Sequence, residues 1–254
     1  MKFRGILANG QPIGQAALDF GRSARPDAGE ASCRTIRIPA PLDDSRVPFH
    51  NAPNPFKIPL TRGGMSADDR RRWDAKYAAQ SVPERLAPDD WLVENALSLE
   101  PGRALDLACG LGHNAIWLAR HGWTVDAVDI SPAGLQLAAR LASRHKVGVN
   151  WIAADLEEFA PAAAAYDLVV VFRFLDRTHV PRLVETALPS GGLLIYETFT
   201  QAQLARPESH LRNPAYALHS RELPRLFAGL KLVRYREDAL DDRSVARLVA
   251  RRTP

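Results

Sequence analysis

Segments typical of strands and helices alternate along the chain from residue 103 onwards. Short apolar runs predict strands, and most of the intervening runs carry helical periodicity or helix-capping residues. The last two strands are joined by a turn too short for a crossover, so they must be antiparallel. We therefore predict an α/β fold, a doubly wound, mostly parallel seven-stranded sheet with an antiparallel C-terminal strand pair. The predicted strands are 103–108, 123–129, 149–154, 166–172, 192–197, 231–238 and 244–251.

Residues 1–64 differ in composition from the rest of the chain. They contain 15 of the 35 proline and glycine residues and show no hydrophobic period. We therefore predict a Pro-rich leader that is disordered or loosely attached, followed by a folded domain at 65–254. Met65 directly precedes a helix start. An alternative is therefore that the native protein begins at Met65 and that the leader is not part of it.

The distribution of charge bears on the partners of this chain. The net charge of +4 lies in the leader, since residues 65–254 hold equal numbers of basic and acidic side chains. A nucleic-acid-binding domain would carry a basic face on its folded body, so nucleic acid is not a predicted partner. No apolar run is long enough to span a membrane and no secretory signal is visible, which predicts a cytoplasmic protein without a membrane partner. Cys33 and Cys109 lie outside any Cys/His cluster, so no metal site is predicted.

The chemistry-bearing residues follow the first predicted strands. Gly110 and Gly112 form a turn between a strand and a helix, where the backbone can approach a ligand closely and the helix offers free N–H groups. Asp129 ends the second strand, and a carboxylate there can accept hydrogen bonds from both hydroxyls of a ribose. Asp155 follows the third strand and is placed to accept from an adenine amino group. This combination predicts a nucleotide-containing cofactor.

Two classes of nucleotide fit this pattern. Gly110, Gly112 and Ala115 also match the dinucleotide fingerprint GxGxxG/A, so a nicotinamide-dependent oxidoreductase is one alternative. Asp106 counts against it, because a carboxylate four residues before Gly110 would repel a pyrophosphate but suits a cationic amino-acid group. A further alternative is a regulator that binds the cofactor without catalysing a reaction.

Residues 66–252 resemble the class I S-adenosylmethionine-dependent methyltransferases. The matching motifs are LDLACGLG at 105–112, VDIS at 128–131, ADL at 154–156, YDL at 166–168 and PSGG at 189–192. Within that class the chain is most similar to the tellurite-resistance methyltransferase family, through WDAKY at 73–77 and the stretch from 174 to 181. It departs from that family near its end, where acidic residues replace a histidine-containing turn. The domain at 65–254 is accordingly predicted to be a methyltransferase domain that uses S-adenosylmethionine.

The resemblance implies a set of cofactor-binding residues. Gly110, Gly112 and Asn114 would hold the methionine end of the cofactor, and Asp106 would bind its ammonium. Asp129 would bind the ribose and Asp155 the adenine. Trp73 and Tyr77 would close over the cofactor as a lid, or alternatively form an apolar helix face packed on the domain. The full predicted set is Trp73, Tyr77, Asp106, Ala108, Gly110, Gly112, Asn114, Asp129, Ile130, Asp155 and Leu156.

The acceptor would bind where the fourth and fifth strands end. We predict Arg173 and Glu197 as catalytic residues, with Arg177 as a second anion-binding candidate and His179 as a further candidate base. For each, a surface or helix-capping role is the alternative. The predicted activity is methyl transfer to a small-molecule acceptor that is anionic or a soft nucleophile, by a monomer or homodimer. The long segment from 200 to 219 is predicted to act as a lid over the acceptor.

Overall fold

Seven strands form one sheet in the computed structural model, which describes residues 65–254. The strand order is β3-β2-β1-β4-β5-β7-β6, with the first five strands in the order parallel and β7 antiparallel to both of its neighbours. The predicted fold class is thereby confirmed. The strands are β1 Arg103–Leu107, β2 Thr124–Asp129, β3 Asn150–Ala153, β4 Leu168–Phe172, β5 Leu193–Phe199, β6 Lys231–Ala239 and β7 Ser244–Arg251.

Helices cover both faces of the sheet. Trp91, Ile116 and Leu135, from α2, α3 and α4, are fully buried on one face. Val184 and Leu223, from α5 and α6, are fully buried on the other. The helices are α1 Met65–Ala78, α2 Asp90–Ala96, α3 His113–Arg120, α4 Pro132–Arg144, α5 His179–Ala187 and α6 Glu222–Leu226.

Local sequence explains where the central elements begin and end. Every residue of β4 is apolar and buried, as expected for a parallel strand covered on both faces. The Ser131 hydroxyl caps α4 by accepting the Gly134 N–H at 3.1 Å, and Pro132 occupies the first helical position.

The connectivity creates a crevice at the carboxyl ends of β1 and β4. The chain leaves β1 toward β2 on one side and reaches β4 on the other, and such a reversal of strand order is where doubly wound sheets bind ligands. Backbone conformations with positive φ cluster there, at Ala108, Gly110, Gly112 and Arg173. The sheet therefore brings the predicted glycine turn and the residue after β4 to the same edge.

The segment from 200 to 219 is attached to the sheet by hydrogen bonds. It contains two short 3₁₀ helices, Gln201–Ala205 and Pro214–Tyr216. The buried Gln203 side chain accepts the Ser244 N–H at 2.8 Å, and the Leu218 N–H donates to the Phe199 carbonyl at 2.9 Å. Its role as a lid stays a prediction, and both of its ends are fixed in this structure.

Two of the predictions concern other parts of the chain. The predicted leader at 1–64 lies outside the described residues. Among the residues that are described, no helix has the length and apolar character required to cross a membrane.

Candidate active site

The glycine turn after β1 places successive backbone groups at the mouth of the crevice. Ala108, Gly110 and Gly112 have φ values of 56°, 55° and 71°. A Cβ on Gly112 would lie 2.5 Å from the Trp151 ring, so glycine is required there by both backbone conformation and space. The turn ends at α3, whose first N–H groups have no acceptor within the helix. This is the geometry predicted for holding the polar end of a nucleotide-containing ligand.

Asp129 links the end of β2 to this turn. One carboxylate oxygen accepts the Gly110 N–H at 2.8 Å and the other accepts the Ser131 N–H at 2.9 Å. Burial raises the pKa of Asp129, while these backbone hydrogen bonds oppose the increase. Each oxygen retains a lone pair, so the side chain is positioned to accept hydrogen bonds from a ribose.

Two further carboxylates have an oxygen without a partner. Asp106 Oδ2 and Asp155 Oδ2 are buried and accept no hydrogen bond from any described residue. Burial raises the pKa of Asp106 well above its ordinary value, and the charge of Asp89 adds to the increase. A buried polar atom without a partner costs free energy unless a ligand satisfies it. The two atoms therefore fit the predicted ammonium and adenine amino donors of S-adenosylmethionine.

Tyr77 and Trp73 bring α1 against the turn. A Cβ on Gly110 would lie 2.9 Å from the Tyr77 hydroxyl, and a Cβ on Gly134 would lie 2.9 Å from the Tyr77 ring. Trp73 stacks on Tyr77 with ring centroids 5.7 Å apart. Burial, followed by the charge of Asp129, raises the pKa of Tyr77, which keeps the hydroxyl protonated. The pair thus packs on the domain and also borders the turn, and its role as a lid over the cofactor stays a prediction.

α1 is also tied to α4 by a carboxylate. Asp74 accepts hydrogen bonds from the Ser131 hydroxyl and from the Ala133 N–H, the latter at 3.1 Å. Because Ser131 directly follows the Asp129–Ile130 pair, α1 is anchored next to the predicted ribose site. Ile130 is half-buried there, and Leu156 is buried in the core beside Asp155.

The Asn114 side chain forms two hydrogen bonds with Asp89. Its side-chain oxygen accepts the Asp89 N–H at 2.9 Å, and its amide donates to Asp89 Oδ2 at 3.0 Å. The amide therefore holds the segment before α2 against the start of α3. Contact between the Asn114 side chain and a cofactor stays a prediction, and this arrangement favours a positioning role instead.

Glu197 is fully buried and both of its oxygens are bound by arginines. Oε1 accepts from Arg243 Nε at 2.9 Å and Oε2 accepts from Arg247 Nε at 2.7 Å. Arg247 also pairs with Asp238 at 3.1 Å. Both carboxylate oxygens are therefore occupied by guanidinium donors. Its predicted catalytic role remains untested, and the contacts favour a structural ion pair between β5 and β7.

The side chains of two further acceptor-site candidates, Arg177 and His179, are held by contacts within the domain. Arg177 donates to the Glu222 carboxylate at 2.5 Å and to the carbonyls of Ala215 and Ala217, so its guanidinium anchors the segment before α6. Asp176 accepts the Thr178 and His179 N–H groups at the start of α5. The other oxygen of Asp176 lies 2.9 Å from His179 Nδ1.

Arg173 keeps donors available. Its guanidinium pairs with Asp89 Oδ2 at 2.8 Å and is about half exposed. No other hydrogen bond from its side chain is found within the described residues, whereas its backbone N–H donates to the Glu197 carbonyl at 2.8 Å. Of the predicted acceptor-site side chains, Arg173 is therefore the best placed to bind an anion.

Asp89 and His113 were not predicted from sequence. Asp89 precedes α2 yet forms no side-chain capping bond, and instead it joins Asn114 and Arg173. His113 Nδ1 accepts the Ala87 N–H at 3.2 Å. Burial lowers the pKa of His113, which favours the neutral ring, and because Nδ1 accepts a hydrogen bond, the proton of the neutral ring is on Nε2. An aspartate before a helix is ordinary capping sequence, so no sequence signal distinguishes Asp89.

Comparison with known families identifies the region that carries this site. Residues 104–189 match the family described as a methyltransferase domain. This region is a methyltransferase domain. The match covers the glycine turn, Asp129 and Asp155, and ends just before β5. The predicted resemblance to the class I S-adenosylmethionine-dependent methyltransferases is thereby confirmed, and S-adenosylmethionine is the cofactor of this class.

Curated relatives match the methyltransferase domain and its surroundings. Hemagglutinin 1 of Eikenella corrodens is 30% identical over 151 residues, covering 57% of this chain and 49% of that protein. The ribosomal RNA small subunit methyltransferase C of Alcanivorax borkumensis is 35% identical over 104 residues, covering 37% and 31%. The ubiquinone biosynthesis O-methyltransferase of Coxiella burnetii is 27% identical over 115 residues, covering 43% and 48%. The chain thus spans about half or less of the length of these relatives.

Solved structures share the fold of the methyltransferase domain. The N-methyltransferase NodS of Bradyrhizobium japonicum, in complex with S-adenosyl-l-homocysteine, has a TM-score of 0.57 at 19% identity, covering 73% of this chain and 98% of NodS. TehB of Haemophilus influenzae has a TM-score of 0.54 at 18% identity, covering 72% of this chain and 67% of TehB. The predicted likeness to the tellurite-resistance family is therefore found at the level of the fold.

Proposed function

We propose that this protein transfers a methyl group from S-adenosylmethionine to a small-molecule acceptor. The observation that carries the proposal is the pair of unpartnered buried oxygens on Asp106 and Asp155, on either side of Asp129 at one edge of the sheet. An amino-acid ammonium, a ribose and an adenine amino group present matching donors in that order. The match of residues 104–189 to a methyltransferase domain supports the same conclusion.

The residues of this chain contribute mainly by binding and orienting. When bound, the cofactor supplies a methyl group on a sulfonium that is already activated. Asp106, Asp129 and Asp155 would fix its three polar parts, while Tyr77 would exclude water from the glycine turn. Fixing the two reactants in line can lower the barrier by about 7–11 kcal/mol without a protein nucleophile.

The contacts of Glu197 bear on the kind of acceptor. Because each oxygen of Glu197 already accepts a hydrogen bond from an arginine, neither oxygen is open to an acceptor hydroxyl. This favours an acceptor that is already nucleophilic at neutral pH, in keeping with the predicted anionic or soft nucleophile. The Coxiella burnetii relative is named for ubiquinone biosynthesis and the Alcanivorax borkumensis relative for ribosomal RNA. The zero net charge of residues 65–254 supports the small molecule over the nucleic acid.

Titration calorimetry on the full chain tests the proposal. S-Adenosylmethionine and S-adenosylhomocysteine should bind, whereas NADH should not. Asp129→Asn should weaken binding of both by about 1–3 kcal/mol, because charged hydrogen bonds are lost. Asp90→Asn, which changes an exposed acid on α2, is the matched control and should leave the affinity unchanged. Binding of NADH alone would contradict the proposal and support the oxidoreductase alternative.

Turnover separates the enzyme from a cofactor-binding regulator. S-Adenosylhomocysteine should form when a small-molecule extract is added, and not when total RNA is added. Tight cofactor binding with no turnover on either would support the regulator. A cytoplasmic location and assembly as a monomer or homodimer complete the proposal, and are checked by cell fractionation and light scattering.

A further inference from the structure

Arg173 lies directly beside the glycine turn. In the register of the two neighbouring strands, Leu107 of β1 pairs with Val171 of β4. Ala108 and Arg173 come one and two residues later, both with φ of 56°. A non-glycine residue with positive φ is uncommon and costs free energy, and such residues cluster at ligand sites. Two such residues on neighbouring strands therefore indicate a ligand site at the carboxyl ends of β1 and β4.

Asp89 fixes the Arg173 side chain. Asp89 is buried, receives both the Arg173 guanidinium and the Asn114 amide on Oδ2, and lies 3.9 Å from Arg243 on its other oxygen. The guanidinium offers five N–H donors, and only one of them is used by a hydrogen bond within the described residues. Arg173 is thus held in place at one nitrogen and open at the others.

The charge of Arg173 reaches the groups around the glycine turn. It lowers the pKa of Asp106, of Tyr77 and of His113, although burial is the larger influence on each. These three residues belong to β1, α1 and α3. Arg173 and Asn114, the second residue of α3, both donate to Asp89 Oδ2, so the guanidinium lies beside the start of α3, where the glycine turn ends.

The methionine end of the cofactor carries two opposite charges on one carbon. Its ammonium suits Asp106, but its carboxylate would enter a region that already holds Asp89, Asp106 and Asp129. Without a nearby cation those acids would repel it. The guanidinium of Arg173 provides both the opposite charge and two parallel N–H donors for a carboxylate.

We propose that Arg173 binds the carboxylate of the methionine end of S-adenosylmethionine, with Asp89 as its positioning residue. This inference rests on the proposed function. It differs from the sequence-based prediction, which gave Arg173 to an anionic acceptor. Arg173 and Asp106 together then recognise the amino-acid group as a zwitterion, and the acceptor need not be an anion.

Ligands that differ only at the amino-acid end test the assignment without any turnover. The full chain is titrated with S-adenosylmethionine, with decarboxylated S-adenosylmethionine, which lacks only the carboxylate, and with 5′-methylthioadenosine, which lacks the whole amino-acid group. Arg173→Gln should bind S-adenosylmethionine about ten- to a hundred-fold more weakly, because a charge-assisted pair is lost. Its affinity for the other two ligands should stay within about twofold of the wild type.

Two further variants sharpen the result. Arg182→Gln removes an equal charge from an exposed position on α5 and should change none of the affinities. Asp89→Asn should weaken S-adenosylmethionine selectively, by less than Arg173→Gln, because the guanidinium is still present but no longer fixed.

Each alternative outcome has a distinct meaning. Unchanged binding of S-adenosylmethionine by Arg173→Gln would overturn the inference and leave the proposed function standing. Equal weakening for all three ligands would also overturn it, because Arg173 would then support the whole site and not the carboxylate. Failure of the wild-type chain to bind any of the three would instead overturn the proposed function.

Discussion

The ion pairs of Glu197 predict that the domain loses stability when the Glu197 carboxylate is neutralised. Glu197→Gln keeps the size and shape of the side chain but removes the charge that Arg243 and Arg247 share. Glu197 is fully buried, and the side chains of Arg247 and Arg243 are only 5% and 16% exposed, so water cannot replace the lost partner. The two guanidinium groups would face an amide that satisfies at most one of them.

The size of the effect follows from that burial. Removing one partner of a buried ion pair costs about 3–5 kcal/mol, and the retained amide oxygen places the cost of Glu197→Gln at about 3 kcal/mol. For a domain of this length each kcal/mol lowers the melting temperature by about 2–4 °C, so a decrease of about 6–12 °C is expected. Urea unfolding followed by tryptophan fluorescence measures the free energy directly, with an unchanged m-value showing that the unfolding transition is the same.

The opposite pattern would refute the structural role of Glu197. If the carboxylate acts as a catalytic base, Glu197→Gln should abolish turnover at saturating cofactor and acceptor while the free energy of unfolding changes by less than about 1 kcal/mol, within the range of an ordinary surface substitution. Glu100→Gln, an exposed acid before β1, is the control and should alter neither quantity.

Two other perturbations probe the glycine turn and its cover. Gly134→Ala should loosen the packing of α1 on α4, because the new Cβ would lie 2.9 Å from the Tyr77 ring, and faster amide exchange in α1 measures this. In a Tyr77→Ala background the same change should instead stabilise α4 by up to about 1 kcal/mol, since alanine is the better helix former. Asp106→Asn should remove a pH-dependent loss of stability. Because the pKa of Asp106 is raised, the ligand-free folded protein holds a proton that the unfolded chain releases. The wild type should therefore lose stability as the pH rises above the pKa of this group in the unfolded chain, about 4. Urea unfolding from pH 4 to pH 8 should show this decrease in the wild type and a smaller one in the variant, and equal slopes would disprove the assignment.

The sheet could be predicted because its signals are local. The observed β2 and β4, Thr124–Asp129 and Leu168–Phe172, begin one and two residues after their predicted starts. Apolar runs bounded by helix caps and glycine turns fix such elements without knowledge of distant contacts. The positions of Asp106, Asp129 and Asp155 at one edge follow from the same signals, because parallel strands end on the same side.

The roles of individual polar side chains depended on contacts between distant parts of the chain. Glu197 and Arg247 face each other because β5 and β7 pair antiparallel in one register. The sequence indicates this pairing only weakly, since each is a charged residue among mostly apolar neighbours in its strand. Arg177 offers no such hint, because its partner Glu222 begins α6, 45 residues further along the chain.

The buried carboxylates of this protein divide by whether their oxygens are satisfied. Glu197 is fully paired, so its burial is complete without any ligand. Asp106 and Asp155 each bury an oxygen that no described residue satisfies, which lowers the stability of the ligand-free protein. A ligand that donates to both oxygens removes that penalty, so its binding free energy includes the recovered stability. The unsatisfied atoms are therefore a better guide to the binding site than the presence of buried acids alone.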